Sequence, residues 1–242
     1  MKSIYITIFI FIFILLLIVL LYPFSEYFKN NWYEKIDGIV YINLEKRDDR
    51  KRLILNELQK IETDMNRVNK VSGIYTPKNG HKGCVQSHII ALNIAKMNRW
   101  KYVMIFEDDM ELSVSPDTFN DMVNSILDYM KRNEIKWDVI MLATGFTTKD
   151  SLNDTDDFVK IKSATTSSGY IVNQVYYDKL IELFTYCNEN MPRDKWSGGK
   201  EWEPYALDQQ WRKLQEKDNW YGFTQDLIKQ RNISSTIMDE KD

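Results

Sequence analysis

Cysteine and histidine are scarce in this chain of 242 residues, with two of each. Two isolated cysteines, Cys84 and Cys187, do not make a disulfide framework; buried thiols are the favoured reading, although an oxidising lumen would let them pair. His81 and His88 lack the i, i+4 spacing of a helical zinc pair, and no cluster of Cys and His completes a site of that kind. Ser87 beside His88 is not a nucleophile–base pair, because neighbours on a helix diverge. An excess of positive charge is also missing. Lys and Arg total 32 against 35 Asp and Glu, a formal net charge of −3, so no nucleic-acid partner is expected. No internal repeat occurs, and no low-complexity tract beyond the N-terminal segment.

That segment is what the chain does have in abundance. Ile4–Tyr22 is an uncharged, apolar run of 19 residues, close to the roughly 20 that a spanning helix needs. It is longer than the apolar region of a cleaved signal, and Pro23-Phe24-Ser25-Glu26 offers no small-residue cleavage site. A single-pass signal anchor is expected over residues 4–22, after a tail of residues 1–3 and before a short stem at 23–35. Lys2 favours a cytosolic N-terminus, with the remainder of the chain lumenal or extracytoplasmic. Asn153-Asp-Thr155 and Asn232-Ile-Ser234 fit the short glycosylation pattern and mildly agree with that side.

Residues 36–242 are long enough for one globular domain. Strands are predicted over Ile36–Leu44, Arg67–Ser72, Tyr102–Phe106, Trp137–Ala143, Phe158–Lys162 and Gly169–Asn173. Helices are predicted over Lys46–Ile61, Gly83–Asn98, from Ser115-Pro116-Asp117 through Met130, over Val175–Tyr186 and over Ala206–Lys217. Ser115 is a hydroxyl cap followed by proline at the first helical position. Thr147–Asp157 is polar and acidic and reads as a mobile loop. Alternating strands and helices imply an α/β sandwich with a mainly parallel sheet.

The most informative segment is Tyr102–Asp109, a short apolar run ending in Glu107, Asp108 and Asp109. Three adjacent acids repel one another and are costly to bury unpartnered. A hard divalent cation is the simplest partner, and the carboxyl end of a strand in an open α/β sheet is where ligands sit. Period-two alternation would put Glu107 and Asp109 on one face and Asp108 on the other. A solvated turn is the alternative. Asn43-Leu-Glu-Lys-Arg-Asp-Asp-Arg50 crowds cations at a helix start, which a bound phosphate would relieve; local ion pairing is the alternative there. Glu201–Asp208 brings further acids and aromatic rings near a late helix and would supply a general base or simply start a surface helix.

Taken in order, five blocks resemble glycosyltransferase family 25, which contains bacterial lipooligosaccharide and procollagen galactosyltransferases. They are Tyr41–Arg50, Arg67–Gly73, Gly80–His88, Tyr102–Asp109 and Ser167–Val172, with Leu207-Asp208 at the family's late acidic position. His81 departs from the pattern, since the family often has Glu there. The resemblance implies a GT-A-like, Rossmann-like three-layer sandwich, a UDP-sugar donor (commonly UDP-galactose), Mn²⁺ or Mg²⁺, and inverting transfer to a glycan or protein acceptor. By the match, Glu107 and Asp109 are the metal-side acids, with Asp109 the favoured direct ligand. Asn43, Arg47, Arg50 and Asp108 lie near the nucleotide. Asp208 is a general base or a second metal-side acid, and Trp196, Trp202 and Tyr205 are rings that would stack on a sugar. Two competitors remain from sequence: another metal-dependent phosphoryl-transfer enzyme, and a non-catalytic anchored binding protein that keeps the fold.

Overall fold

The computed structural model describes residues 10–14, 32–145, 147–193 and 203–232. The chain divides into two compact units, residues 1–31 and 32–242. In the first, residues 10–14 are helical with exposed side chains; the rest of the expected anchor Ile4–Tyr22 and the stem before Trp32 lie outside the described residues. Among the described residues no helix is long and apolar enough to cross a membrane.

The second unit begins at Trp32. The last residues expected in the stem instead form helix α1 (Trp32–Lys35). Trp32 is fully buried, its ring edge-on to Phe119 and its indole N–H donating to Asn120 Oδ1 at 2.6 Å. An eight-stranded sheet follows, in the order β2-β1-β3-β8-β5-β9-β7-β6. Its strands are β1 (Gly38–Asn43), β2 (Val68–Ser72), β3 (Tyr102–Glu107), β5 (Val139–Met141), β6 (Thr147–Leu152), β7 (Thr155–Ala164), β8 (Gly169–Asn173) and β9 (Trp220–Phe223). The β1–β2, β1–β3 and β5–β9 pairs are parallel; β8 and β7 run against the other six strands. The sheet is therefore mixed, Rossmann-like and mainly parallel in strand direction. A separate two-stranded ribbon pairs β4 (Met110–Leu112) with β10 (Ile228–Gln230).

The central strands are apolar at nearly every position because both faces are covered. Ile39, Tyr41, Met104 and Phe106 face one core with α2 (Asp48–Lys60) and α4 (Pro116–Arg132). Val40, Val103 and Ile105 face the other with α3 (Gly80–Met97) and α5 (Tyr177–Asn190). Two cores on opposite faces make three layers. Helix α4 starts as its sequence requires, with Ser115 Oγ accepting from the Thr118 N–H and Pro116 in the first turn.

Two further expectations are corrected. Thr147–Asp157 is not a loop but β6 and the start of β7, closed by a turn at Asn153 and Asp154 that Tyr129 holds by its hydroxyl. It is the edge of the sheet, and an edge strand with an exposed, charged face has loop-like composition. The final helix breaks into α6 (Leu207–Gln210) and α7 (Arg212–Gln215) at Trp211. There the indole N–H is anchored on the Ala164 carbonyl at 2.8 Å and the backbone tightens to an i→i+3 bond, Leu214 N–H to Trp211 C=O.

If Trp32 belongs to the core, Trp32→Ala should lower unfolding free energy by about 3–5 kcal/mol in urea titrations. A loss under about 1 kcal/mol would mean that the ring is dispensable surface.

Candidate active site

Strands β1 and β3 are adjacent and parallel, with Ile42 opposite Glu107, so Asn43 and the acidic triplet end side by side at one edge of the sheet. Asp37 fixes this alignment from the other end, its Oδ2 accepting from the backbone N–H groups of Lys101 and Tyr102, both at 2.9 Å. β3 stops at Glu107, and Asp108 and Asp109 form a turn into β4. The expected alternation therefore does not carry past Glu107. Asp108 does not point away from its neighbours; Arg50, at the start of α2, spans both turn residues through Nη1, at 2.9 Å from Asp108 Oδ1 and 3.3 Å from Asp109 Oδ2. All three acids line one cavity with Arg50, His88 and Tyr75.

Each acid has its own support. Asn43 Nδ2 donates to Asp108 Oδ2 at 2.8 Å and to the Arg47 carbonyl at 3.0 Å, tying β1 to the turn. Gln230 Nε2, from β10, donates to Asp109 Oδ2 at 3.1 Å. The Arg231 N–H donates to the Asp109 carbonyl at 2.7 Å, while its guanidinium joins Glu57 and Glu111 at 2.9 and 2.8 Å. Glu107 Oε1 accepts from Ser167 Oγ and faces His88 Nε2 at 3.3 Å; His88 Nδ1 meets Tyr170 Oη at 2.7 Å. Close approach of α3 to the loop after β2 requires Gly83, because a Cβ there would lie 2.1 Å from the Ile74 carbonyl oxygen.

The charges do not balance. Burial and the Glu107 charge push Asp109 up to about 7, against the pull of Gln230 and Arg50. Burial also raises Asp108, despite Asn43 and Arg50. Burial would raise Glu107 as well, but the His88 hydrogen bond and charge, Ser167 and Arg50 together hold it below its ordinary value. Asp109 Oδ1 is buried with no partner among the described residues. A carboxylate oxygen shielded from water, aimed beside two further acids and short of positive charge, fits an oxygen-ligated divalent cation.

Asp208 lies in the first turn of α6, its Oδ2 accepting from the Thr166 N–H at 3.1 Å. It shares a second cavity with Glu107, Cys84, His81, Ser167 and Gln230, and burial raises its pKa. Glu107 lines both cavities and so joins the two halves of the site. Arg47 is engaged with Asp49 through two bonds of 2.9 and 2.8 Å. Tyr205 packs near Tyr186, with ring centroids 6.2 Å apart. Trp196, Glu201 and Trp202 lie outside the described residues. Cys84 and Cys187 are free thiols. Ser87 is structural, its hydroxyl bonding the Gly83 carbonyl and the Ile74 N–H at 2.7 and 2.9 Å.

Sequence reasoning missed Gln230, Arg231 and the contact of Cys84 with His88 and Glu107. The i, i+4 spacing of Cys84 and His88 was a usable signal. Gln230 reaches Asp109 across 121 residues of chain, and no local pattern encodes that.

A family model described as glycosyltransferase family 25 (LPS biosynthesis protein) matches residues 75–196. That is half of the chain, and the chain belongs to this family of glycosyltransferases. The matched segment contains Gly83–His88 and Glu107–Asp109; Asn43, Arg47, Arg50 and Asp208 fall outside it. No curated protein sequence matches the chain. Among solved structures it is similar to a mannose-1-phosphate geranyltransferase from Thermus thermophilus, with 7% identity, 77% of this chain and 72% of that chain covered, and a TM-score of 0.43. It is also similar to a glycosyltransferase involved in glycosylation of the major capsid of PBCV-1, with 8% identity, 77% and 91% covered, and a TM-score of 0.40. Likeness at that level carries no functional conclusion for this chain.

The Asp109 shift has a sign that can be tested. A carboxyl whose folded pKa lies above its unfolded value favours folding while protonated, and that contribution fades as pH rises from about 4 to about 7. Arg50, Gln230, Glu107 and Asp108 are the charged and polar groups facing it. In chelator-treated protein, Asp109→Asn should gain stability relative to wild type on going from pH 4 to pH 8 in urea titrations. A difference between the two proteins that is the same at both pH values would contradict this.

Proposed function

We propose that the protein is a membrane-anchored, metal-dependent, inverting glycosyltransferase. It moves a hexose, galactose by the family resemblance, from a UDP-sugar to a hydroxyl of a glycan or protein acceptor. The observation that carries this reading is the buried Oδ1 of Asp109, without a partner among the described residues, in a cavity where three carboxylates meet one arginine. Glu107 and Asp109 would hold Mn²⁺ or Mg²⁺, which supplies positive charge for the diphosphate of the leaving UDP.

The chain's own residues do the rest. Arg50 and Asn43 fix the Asp108–Asp109 turn, so its carboxylates are set before the donor arrives. The first cavity, bounded by Ile42, Leu44, Gly73 and Tyr75 on its apolar side, suits the nucleotide, and Arg47 stands at the start of α2. Asp208, across Glu107 in the second cavity, is the base. Its carboxylate takes the acceptor's hydroxyl proton as that oxygen bonds to the anomeric carbon, while the bond from that carbon to the UDP oxygen breaks. Attack and departure on opposite faces invert the centre. The raised pKa of Asp208 brings it nearer the range in which a carboxylate accepts a proton well. Thr166, donating to Asp208 Oδ2, orients it. The apolar run Ile4–Tyr22 supports a single-pass anchor with a cytosolic N-terminus and an extracytoplasmic catalytic unit.

UDP release from a panel of UDP-, GDP- and CMP-sugars with Mn²⁺ tests the reaction. Wild type should turn over a UDP-hexose, and Asp109→Ala should lose at least about 100-fold. Asp208→Asn should lower kcat by about 100-fold or more with donor affinity unchanged. Absence of metal-dependent turnover by wild type with every sugar in the panel would overturn the proposal. Removing residues 1–31 should release the protein from the membrane fraction into the soluble one, and retention there would overturn the anchor.

A further inference from the structure

Helix α3 carries Cys84 and His88 four residues apart, so they share one helix face. Glu107, from the end of β3, meets that face. Cys84 Sγ, a His88 ring nitrogen and a Glu107 carboxylate oxygen all lie within 4.8 Å of one another. His88 is fully buried and Glu107 partly so, yet all three residues line the first cavity, and Cys84 and Glu107 also line the second. The hard-ion reading of the acidic turn makes no use of Cys84 or His88.

We infer that Cys84, His88 and Glu107 form a second cation site, selective for a thiophilic divalent ion such as Zn²⁺, with its fourth position open to the cavity. The donor set of one sulfur, one imidazole nitrogen and one carboxylate oxygen is the type that zinc prefers and that Mg²⁺ does not. Bonds of about 2.0–2.3 Å to a tetrahedral ion need these atoms to draw together by roughly an ångström, a side-chain adjustment. The outer partners are in place. With Nε2 on the ion, the ring proton sits on Nδ1 and is donated to Tyr170 Oη, 2.7 Å away; Ser167 Oγ holds Glu107. Such support is what fixes the orientation of metal-bound imidazole and carboxylate. Binding converts the Cys84 thiol to thiolate and releases its proton to solvent. Because Glu107 belongs to both sites, a thiophilic ion here competes with the ion proposed for the donor.

Cobalt(II) titration of the full-length, metal-stripped protein tests this without turnover, so it stands apart from the fate of the glycosyl-transfer reading. Wild type should develop a thiolate-to-cobalt charge-transfer band and intense tetrahedral d–d bands, both bleached by Zn²⁺. The thiolate band should persist in Cys187→Ala, which assigns it to the chain's other cysteine, and vanish in Cys84→Ser. By calorimetry, His88→Gln should weaken Zn²⁺ binding at least tenfold. Asp109→Asn should keep the cobalt band, which separates this site from the hard-ion site. No thiolate band in wild type, or a band lost in Cys187→Ala, would overturn the inference.

Discussion

Three carboxylates at the end of one central strand, backed by a single buried arginine, are the constraint around which the catalytic unit is arranged. Burying like charges is costly, and the molecule spreads that cost over distant parts of the chain. Asn43 reaches in from the neighbouring strand, Arg50 from the following helix, and Gln230 and Arg231 from the C-terminal ribbon. Even so, one oxygen of Asp109 is left buried without a partner among the described residues. A cluster this thoroughly braced yet short of positive charge is the observation on which the proposed cation site rests.

The apolar architecture makes that arrangement affordable. Cores on both faces of the sheet fix β1 and β3 in register, so Asn43 and Glu107 emerge side by side. The reversed strand β8 then returns along β3 and brings Ser167, Ser168 and Tyr170 to the same end, where the Ser168 carbonyl accepts from the Glu107 N–H at 3.0 Å. Tyr170 spans the two roles. Its ring packs edge-on to Trp211 in the second core, and its hydroxyl meets His88. Hydrophobic packing and site geometry thus act through the same side chains, which is how a stable scaffold holds a locally unfavourable charge cluster.

Much of this was legible in the sequence, for identifiable reasons. The run Tyr102–Phe106 has the length and composition of a buried strand, which it forms, and Ser115-Pro116 marks a helix start by its capping chemistry. Legibility failed where the deciding contact was not local. The edge hairpin from Thr147 looked like a loop because Thr148–Ser151 is exposed at every position. The late helix looked continuous because nothing near Trp211 reveals its bond to Ala164. The alternation assigned to Asp108 failed because the strand ends at Glu107, two residues before Asp109, and Asp108 and Asp109 form a turn. Gln230 was invisible because pairing of β10 with β4 is a property of the whole fold.

The central claim is that Asp109 completes a divalent cation site. The most direct measurement is an anomalous difference map from crystals grown with Mn²⁺ and UDP. The account predicts a manganese peak within bonding distance of Asp109 Oδ1, about 2.0–2.3 Å. A manganese ion bound elsewhere while Asp109 Oδ1 stays unliganded, or UDP bound in the first cavity with no ion at the acidic turn, would contradict it.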